Sequence, residues 1–196
     1  MKLLPIVEGH GDLRAVPILI KRILQERKIY DVQVLAAHRR GEYPSIITNF
    51  ENLYRAALKE GAAILWVMDF DCKTCICPDE EASKLYLRAD AIRPSWPFKV
   101  AFIVKEYESL FLADEHATRT VLDRITPKTT FPANPESIRG AKEWLSTAQP
   151  KGYAYKETLH QDKITQYLNL EHLRLNSPSF AHFERAVIHL SRASLP

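Results

Sequence analysis

No apolar run in this 196-residue chain approaches the ~20 residues needed to cross a bilayer, which argues against a membrane-spanning helix. The opening Met1-Lys2-Leu3-Leu4-Pro5-Ile6-Val7 does not extend into a secretory leader, because Glu8 interrupts it; this predicts a cytoplasmic protein with no membrane association. Cysteine is scarce: there are three, Cys72, Cys75 and Cys77. An odd number in one short loop argues against a disulfide framework, and although the C-x2-C-x-C spacing could hold zinc, no second Cys/His cluster nearby completes a tetrahedral site. There is no G-x-x-x-x-G-K-S/T loop, so any use of ATP would require a partner protein. Internal repeats and low-complexity tracts are absent too.

A large excess of one charge is also missing. The net charge is +3, too small to announce a nucleic-acid binder by itself. Its distribution is more telling: residues 1–115 carry 16 Lys+Arg against 17 Asp+Glu, and residues 116–196 carry 11 against 7. The C-terminal excess could follow a phosphate backbone or simply face solvent.

What is present centres on Ile64-Leu65-Trp66-Val67-Met68-Asp69-Phe70-Asp71. An uninterrupted apolar run of strand length delivers two carboxylates one residue apart, and alternation along an extended chain puts Asp69 and Asp71 on one face. Such a pair is suited to holding a metal or sharing a proton. At the C-terminal end of a central parallel strand it would open onto the crevice where α/β proteins bind ligands.

Taken in order, Leu3 to Val7 reads as a buried strand ending at Glu8, followed by the turn Gly9-His10-Gly11. Asp12 can cap a helix over Leu13 to about Arg27, where Val16, Leu19, Ile20, Ile23 and Leu24 recur at helical spacing. Asp31 to Leu35 is a second candidate strand and Ala36 to Tyr43 a basic loop with His38, Arg39 and Arg40. A single helix is expected from Pro44 to about Glu60, ended by Gly61, and then the central strand Ala62 to Met68. Pro78-Asp79-Glu80-Glu81 starts a helix that stops before Pro94. Lys99 to Val104 is the next strand, after which alternation would put Glu106 and Glu108 on a common face. Ser109 to Asp114 starts a helix. Beyond it lie helical pieces at about 115–124, 136–147, 161–175 and 179–192, with no strand of comparable quality. The expectation is an α/β domain over residues 1–115, with a mainly parallel sheet flanked by helices, and a helical extension over residues 116–196 packed beside it.

Right-handed crossovers make the strands parallel, so Glu8, Asp69 with Asp71, and Glu106 with Glu108 should meet at one sheet edge. Crowded carboxylates repel unless protons or a cation intervene, and hard oxygen ligands select Mg2+ or Mn2+. Two such ions can activate water and stabilise a leaving oxygen in phosphodiester hydrolysis. His10, Arg39 and Arg40 are candidate substrate contacts. Lys142, Lys151 and Lys156 are candidates to neutralise phosphate charge, with Lys151 in a loop after Pro150 a candidate for a catalytic role.

The Glu-Gly after the first strand and the Asp-x-Asp after a central strand resemble the Toprim fold of topoisomerases, primases, the small RNase of ribosomal RNA maturation and OLD-family nucleases. Ile6-Val7-Glu8-Gly9-His10-Gly11-Asp12 through Pro17, Lys105-Glu106-Tyr107-Glu108-Ser109-Leu110-Phe111-Leu112-Ala113, Ala141-Lys142-Glu143-Trp144-Leu145 and Ser177-Pro178-Ser179-Phe180 together look like a bacterial Toprim-like family of unknown function. That resemblance implies a Toprim-like (Rossmann-like) fold, with Glu8, Asp69 and Asp71 as Mg2+ ligands and Glu8 as general acid/base. It also implies an ATPase partner in an antiphage or genome-maintenance setting. The expectation is a Mg2+-dependent nuclease acting on DNA. The alternatives are an RNase of the same chemistry, for example one cleaving tRNA, and a non-catalytic metal-binding subunit of an ATPase complex; self-association stays open.

Overall fold

The strand β1 (Lys2–Val7) is buried along five consecutive residues, which requires cover on both faces and neighbours on both sides. The computed structural model that supplies this cover describes residues 1–41, 43–71 and 77–195, with Tyr43 and Pro44 as backbone only. After β1 come α1 (Asp12–Glu26), β2 (Gln33–Val34), β3 (His38–Arg39), α2 (Tyr43–Thr48), α3 (Phe50–Leu58), β4 (Ala63–Phe70), α4 (Pro78–Ile92) and β5 (Phe98–Val104). The rest is helical among the described residues: α5 (Ser109–Leu112), α6 (Glu115–Val121), a 3-10 turn (Pro135–Ser137), α7 (Ala141–Thr147), α8 (Glu157–Tyr167), α9 (Leu170–Asn176) and α10 (Pro178–Ser191).

The sheet runs β2-β1-β4-β5 with β3 also paired to β1, and all pairings are parallel. This is the expected mixed α/β architecture, a parallel sheet flanked by helices. The short edge differs from the expectation of one strand and a basic loop. Leu35 donates its N–H to the Leu3 carbonyl and Arg40 to that of Val7, so odd-numbered residues of β1 face the edge. Pro5 shares that parity and has no N–H to give, and opposite it the edge divides into β2 and β3. The His38–Arg39 stretch is thereby a strand rather than loop.

Side-chain parity sorts the core. Leu3, Val7, Leu65, Val67, Ala101 and Ile103 face α1, α8 and α10, whereas Leu4, Ile6, Ile64, Trp66, Met68 and Val100 face α3 and α4. Phe50 stacks on Trp66 with ring centroids 5.1 Å apart. The first cluster unites β-strand residues with Ile164, Leu168, Phe180, Phe183 and Val187 from the C-terminal helices, all fully buried. The helix expected over residues 44–60 is instead two, because Asn49 leaves helical backbone (φ −106, ψ 16) and turns its amide back onto the Ser45 carbonyl, a local bond that competes with helix continuation. At the outer edge of β5, the Tyr86 hydroxyl accepts the Val100 N–H at 3.1 Å and donates to its carbonyl at 3.4 Å.

Candidate functional site

Parallel pairing brings three strand ends to one edge. β4 extends two residues further than its apolar run, so Asp69 is inside the strand, paired with Ile103 and on the same face as Val67. Its backbone N–H donates to Glu8 Oε2 at 3.2 Å, and its Oδ1 accepts the Tyr107 N–H at 2.9 Å. The ends of β1, β4 and β5 are thus stitched together through two carboxylates. The expected alternation of Glu106 and Glu108 fails, because Lys105 takes a left-handed turn (φ 67) and ends the strand pattern. Glu106 is half-buried and accepts the Lys142 N–H at 3.3 Å. Glu108 is 1% exposed and accepts the Tyr155 hydroxyl at 2.9 Å.

A further carboxylate joins them. Asp12 reads from sequence as a helix cap, yet it is the first residue of α1, and it points back: Oδ2 accepts the Gly9 N–H at 2.8 Å, while the Gln161 side chain of α8 donates to Oδ1. Burial pushes Asp12 upward, partly offset by the Gly9 N–H, Gln161 and Lys142. Asp69 is held well above the usual carboxylate range, first by loss of water and then by the charges of Asp12, Glu108 and Glu8, with Lys142 opposing. Burial likewise pushes Glu108 up to about 7 against the pull of Lys142 and the Tyr155 hydroxyl. Lys142 Nζ lies 3.1 Å from Glu157 and 4.0 Å from Glu108. Burial disfavours its ammonium, but Glu108, Glu157 and Asp69 outweigh that and keep its pKa above the ordinary lysine value. Burial raises the phenols of Tyr107 and Tyr155, which keeps both neutral beside the cluster.

Asp71 sits at the rim, where Arg139 Nη2 approaches its Oδ1 to 2.8 Å and Lys105 Nζ to 3.9 Å. Arg139 carries no sequence signal beyond its charge; only the fold brings it here. Of the other candidates, Arg40 is half-buried next to β1 with its guanidinium 3.3 Å from His38. His10, Arg39, Lys151 and Lys156 are exposed and make no ion pair with these carboxylates among the described residues. Cys72 and Cys75 lie outside the described residues, and Cys77 is a free, half-buried thiol just before α4.

The charges of Glu8, Asp12 and Glu108 all bear on Asp69, and burial first of all makes Asp12, Asp69 and Glu108 resist ionisation; oxygen donors of this kind are those a hard divalent cation would use. As the side chains stand, those oxygens accept from backbone N–H groups, the Gln161 amide and the Tyr155 hydroxyl, with the Lys142 ammonium 4.0 Å from Glu108, and no three His, Cys, Asp or Glu among the described residues are grouped as a metal site. Among the same residues no helix is long and apolar enough to cross a membrane.

Residues 7–188 match a family model described as "Domain of unknown function (DUF4276)". Two solved structures are similar, both of the C-terminal region of the OLD protein of Xanthomonas campestris pv. campestris. The one phased with iodine is 15% identical, with 97% of this chain and 93% of that chain covered and a TM-score of 0.47. The one phased with mercury is 12% identical, with 95% and 96% covered and a TM-score of 0.42. No curated protein matches the chain.

Proposed function

This chain belongs to the family described as Domain of unknown function (DUF4276), a description that names no chemistry, and from its own side chains we propose a Mg2+- or Mn2+-dependent phosphodiesterase acting on DNA. The observation that carries this reading is the joining of Glu8 to Asp69 across two parallel strands. Glu8 reaches the backbone of a residue 61 positions away in sequence, and its charge and those of the buried Asp12 and Glu108 bear on Asp69; Lys142 offsets only part of that repulsion, so the cluster favours added positive charge.

In this reading Glu8, Asp12 and Asp69 hold the cation, with Asp71, Glu106 and Glu108 at its margin. A bound divalent cation would supply charge neutralisation at a phosphodiester and make water a stronger nucleophile. Glu8, at the end of β1, is the candidate to take and return a proton. Lys142 supplies a fixed positive charge near Asp69 and Glu108, suited to the charge that builds on a phosphate during displacement. Tyr107 contributes through its backbone N–H, which orients Asp69 Oδ1. Because the sequence has no phosphate-binding ATP loop, any dependence on ATP would come from a partner ATPase.

Supercoiled plasmid incubated with the purified chain and Mg2+ or Mn2+ tests the proposal. Nicking should appear with either cation, vanish in EDTA, and fall by at least about 100-fold in Asp69→Ala and Glu8→Gln. Equal nicking by wild type and Asp69→Ala would sink the reading. Parallel incubation with tRNA decides whether RNA is cut by the same carboxylates.

A further inference from the structure

The segment Arg139-Gly140-Ala141-Lys142 lays two cations across the acidic mouth in opposite directions. Lys142, in the first turn of α7, is tied inward: its N–H goes to Glu106 and its ammonium to Glu157 and Glu108. Arg139 reaches outward to Asp71, with Nη2 2.8 Å from Oδ1. Gly140 between them has φ 74, and a Cβ there would meet Glu143 Oε2 at 2.9 Å, so the reversal that separates the two cations favours glycine.

Among the described residues Arg139 has no partner besides Asp71. It makes no hydrogen bond or other ion pair among the described residues, and its side chain is 50% exposed against 35% for Asp71. The contacted Oδ1 is itself shielded and accepts no hydrogen bond among the described residues, but both side chains remain partly open to water, and an ion pair between such groups without a hydrogen bond is weak and readily exchanged. A guanidinium has five N–H donors in a planar fork, and here one nitrogen lies 2.8 Å from Asp71 Oδ1 without forming a hydrogen bond. That fork matches the paired oxygens of a phosphate better than it matches the single oxygen it now holds. Lys142, by contrast, is surrounded by acids that would oppose its leaving.

We propose that Arg139 is the phosphate-binding side chain of the site and rests on Asp71 until a phosphodiester arrives. On substrate entry the guanidinium exchanges Asp71 Oδ1 for non-bridging phosphate oxygens, and Asp71 is released toward a divalent cation. No bond is made or broken in this step; one ion pair replaces another. The inference rests on the phosphodiesterase reading and adds to it the residue that receives the substrate and a competitor for the acidic rim.

The test uses Arg139→Gln and Arg139→Lys in the full chain, each first checked for an unchanged melting temperature. Binding of a labelled duplex with phosphorothioate linkages is followed in Mg2+ across a KCl series, and Mn2+ binding without DNA by calorimetry. Arg139→Gln should weaken DNA binding by about 10-fold and reduce the slope of log K against log[KCl] by about 1. Its Mn2+ affinity should be equal or higher, since a competitor for Asp71 is gone. Arg139→Lys should restore the slope but only part of the affinity. If wild type binds and nicks DNA while Arg139→Gln shows the same affinity and slope, or loses Mn2+ binding as well, this inference is wrong and the phosphodiesterase reading stands. If wild type neither binds nor nicks DNA, both fall.

Discussion

Glu108 is enclosed by Tyr155, Lys142 and neighbouring acids, and it shows how the environment of one side chain sets the behaviour of the site. Its pKa is raised from 4.5 to about 7, so the folded state prefers the neutral carboxyl. Stability tied to that preference is fully present below the unfolded value and is lost as pH rises through about 7, a linkage worth roughly 3 kcal/mol. In EDTA, the melting temperature of the wild type should therefore fall between about pH 5 and about pH 8, and Glu108→Gln should flatten part of that fall. A slope unchanged by Glu108→Gln would remove this residue from the account. Asp12 and Asp69 are shifted in the same direction, so a residual slope is expected in the variant. Among residues, Glu8, Asp69 and Asp71 stand out in sequence because they follow apolar runs. Asp12 does not, since an acid at the start of a helix has an ordinary capping explanation. Its partner Gln161 is 149 positions away, beyond the reach of local pattern. Arg139 is hidden for the same reason.

Elements with long apolar runs were legible: β4 and β5 are defined by their own residues and need both faces covered. β2, two residues long, falls within the strand expected over Asp31 to Leu35, but β3 was not legible, because its two residues exist as a strand through pairing to β1 rather than through propensity. The carboxylates after β5 depart from the expected alternation because the left-handed Lys105 (φ 67) ends the strand pattern. The turn from β1 to α1 is a sharper case. Gly11 has ordinary helical backbone angles, yet it is buried where a Cβ would overlap the Gln161 amide and come within 3.2 Å of Glu157 Cβ. Glycine is required there for the approach of α8, not for its dihedral freedom. Gly11→Ala should lower stability by about 1–3 kcal/mol, read as a lower urea midpoint at unchanged m-value; an unchanged midpoint would mean that α8 yields freely.

At the scale of the whole molecule, the helices after residue 115 are part of the same packing as the sheet. α10 buries Phe180, Phe183, Val187 and Leu190 completely, against the face of β4 and β5 that carries Leu65, Val67, Ala101 and Ile103. α8 brings Gln161 to Asp12 and Glu157 to Lys142, so the C-terminal part supplies both cover and site geometry. A chain ended after Asn176 would expose that apolar face to water, and circular dichroism should show no cooperative thermal transition. A soluble product melting like the full chain would show that the sheet does not need this cover.

Along the outer margin of β5, the phenol of Tyr86 already answers both polar groups of Val100. A strand from another molecule sliding alongside would find that rung taken, and a continuous ladder could not form across it. The sheet thus ends in a plug made from its own flanking helix, which discourages fibre-like stacking of copies along that margin.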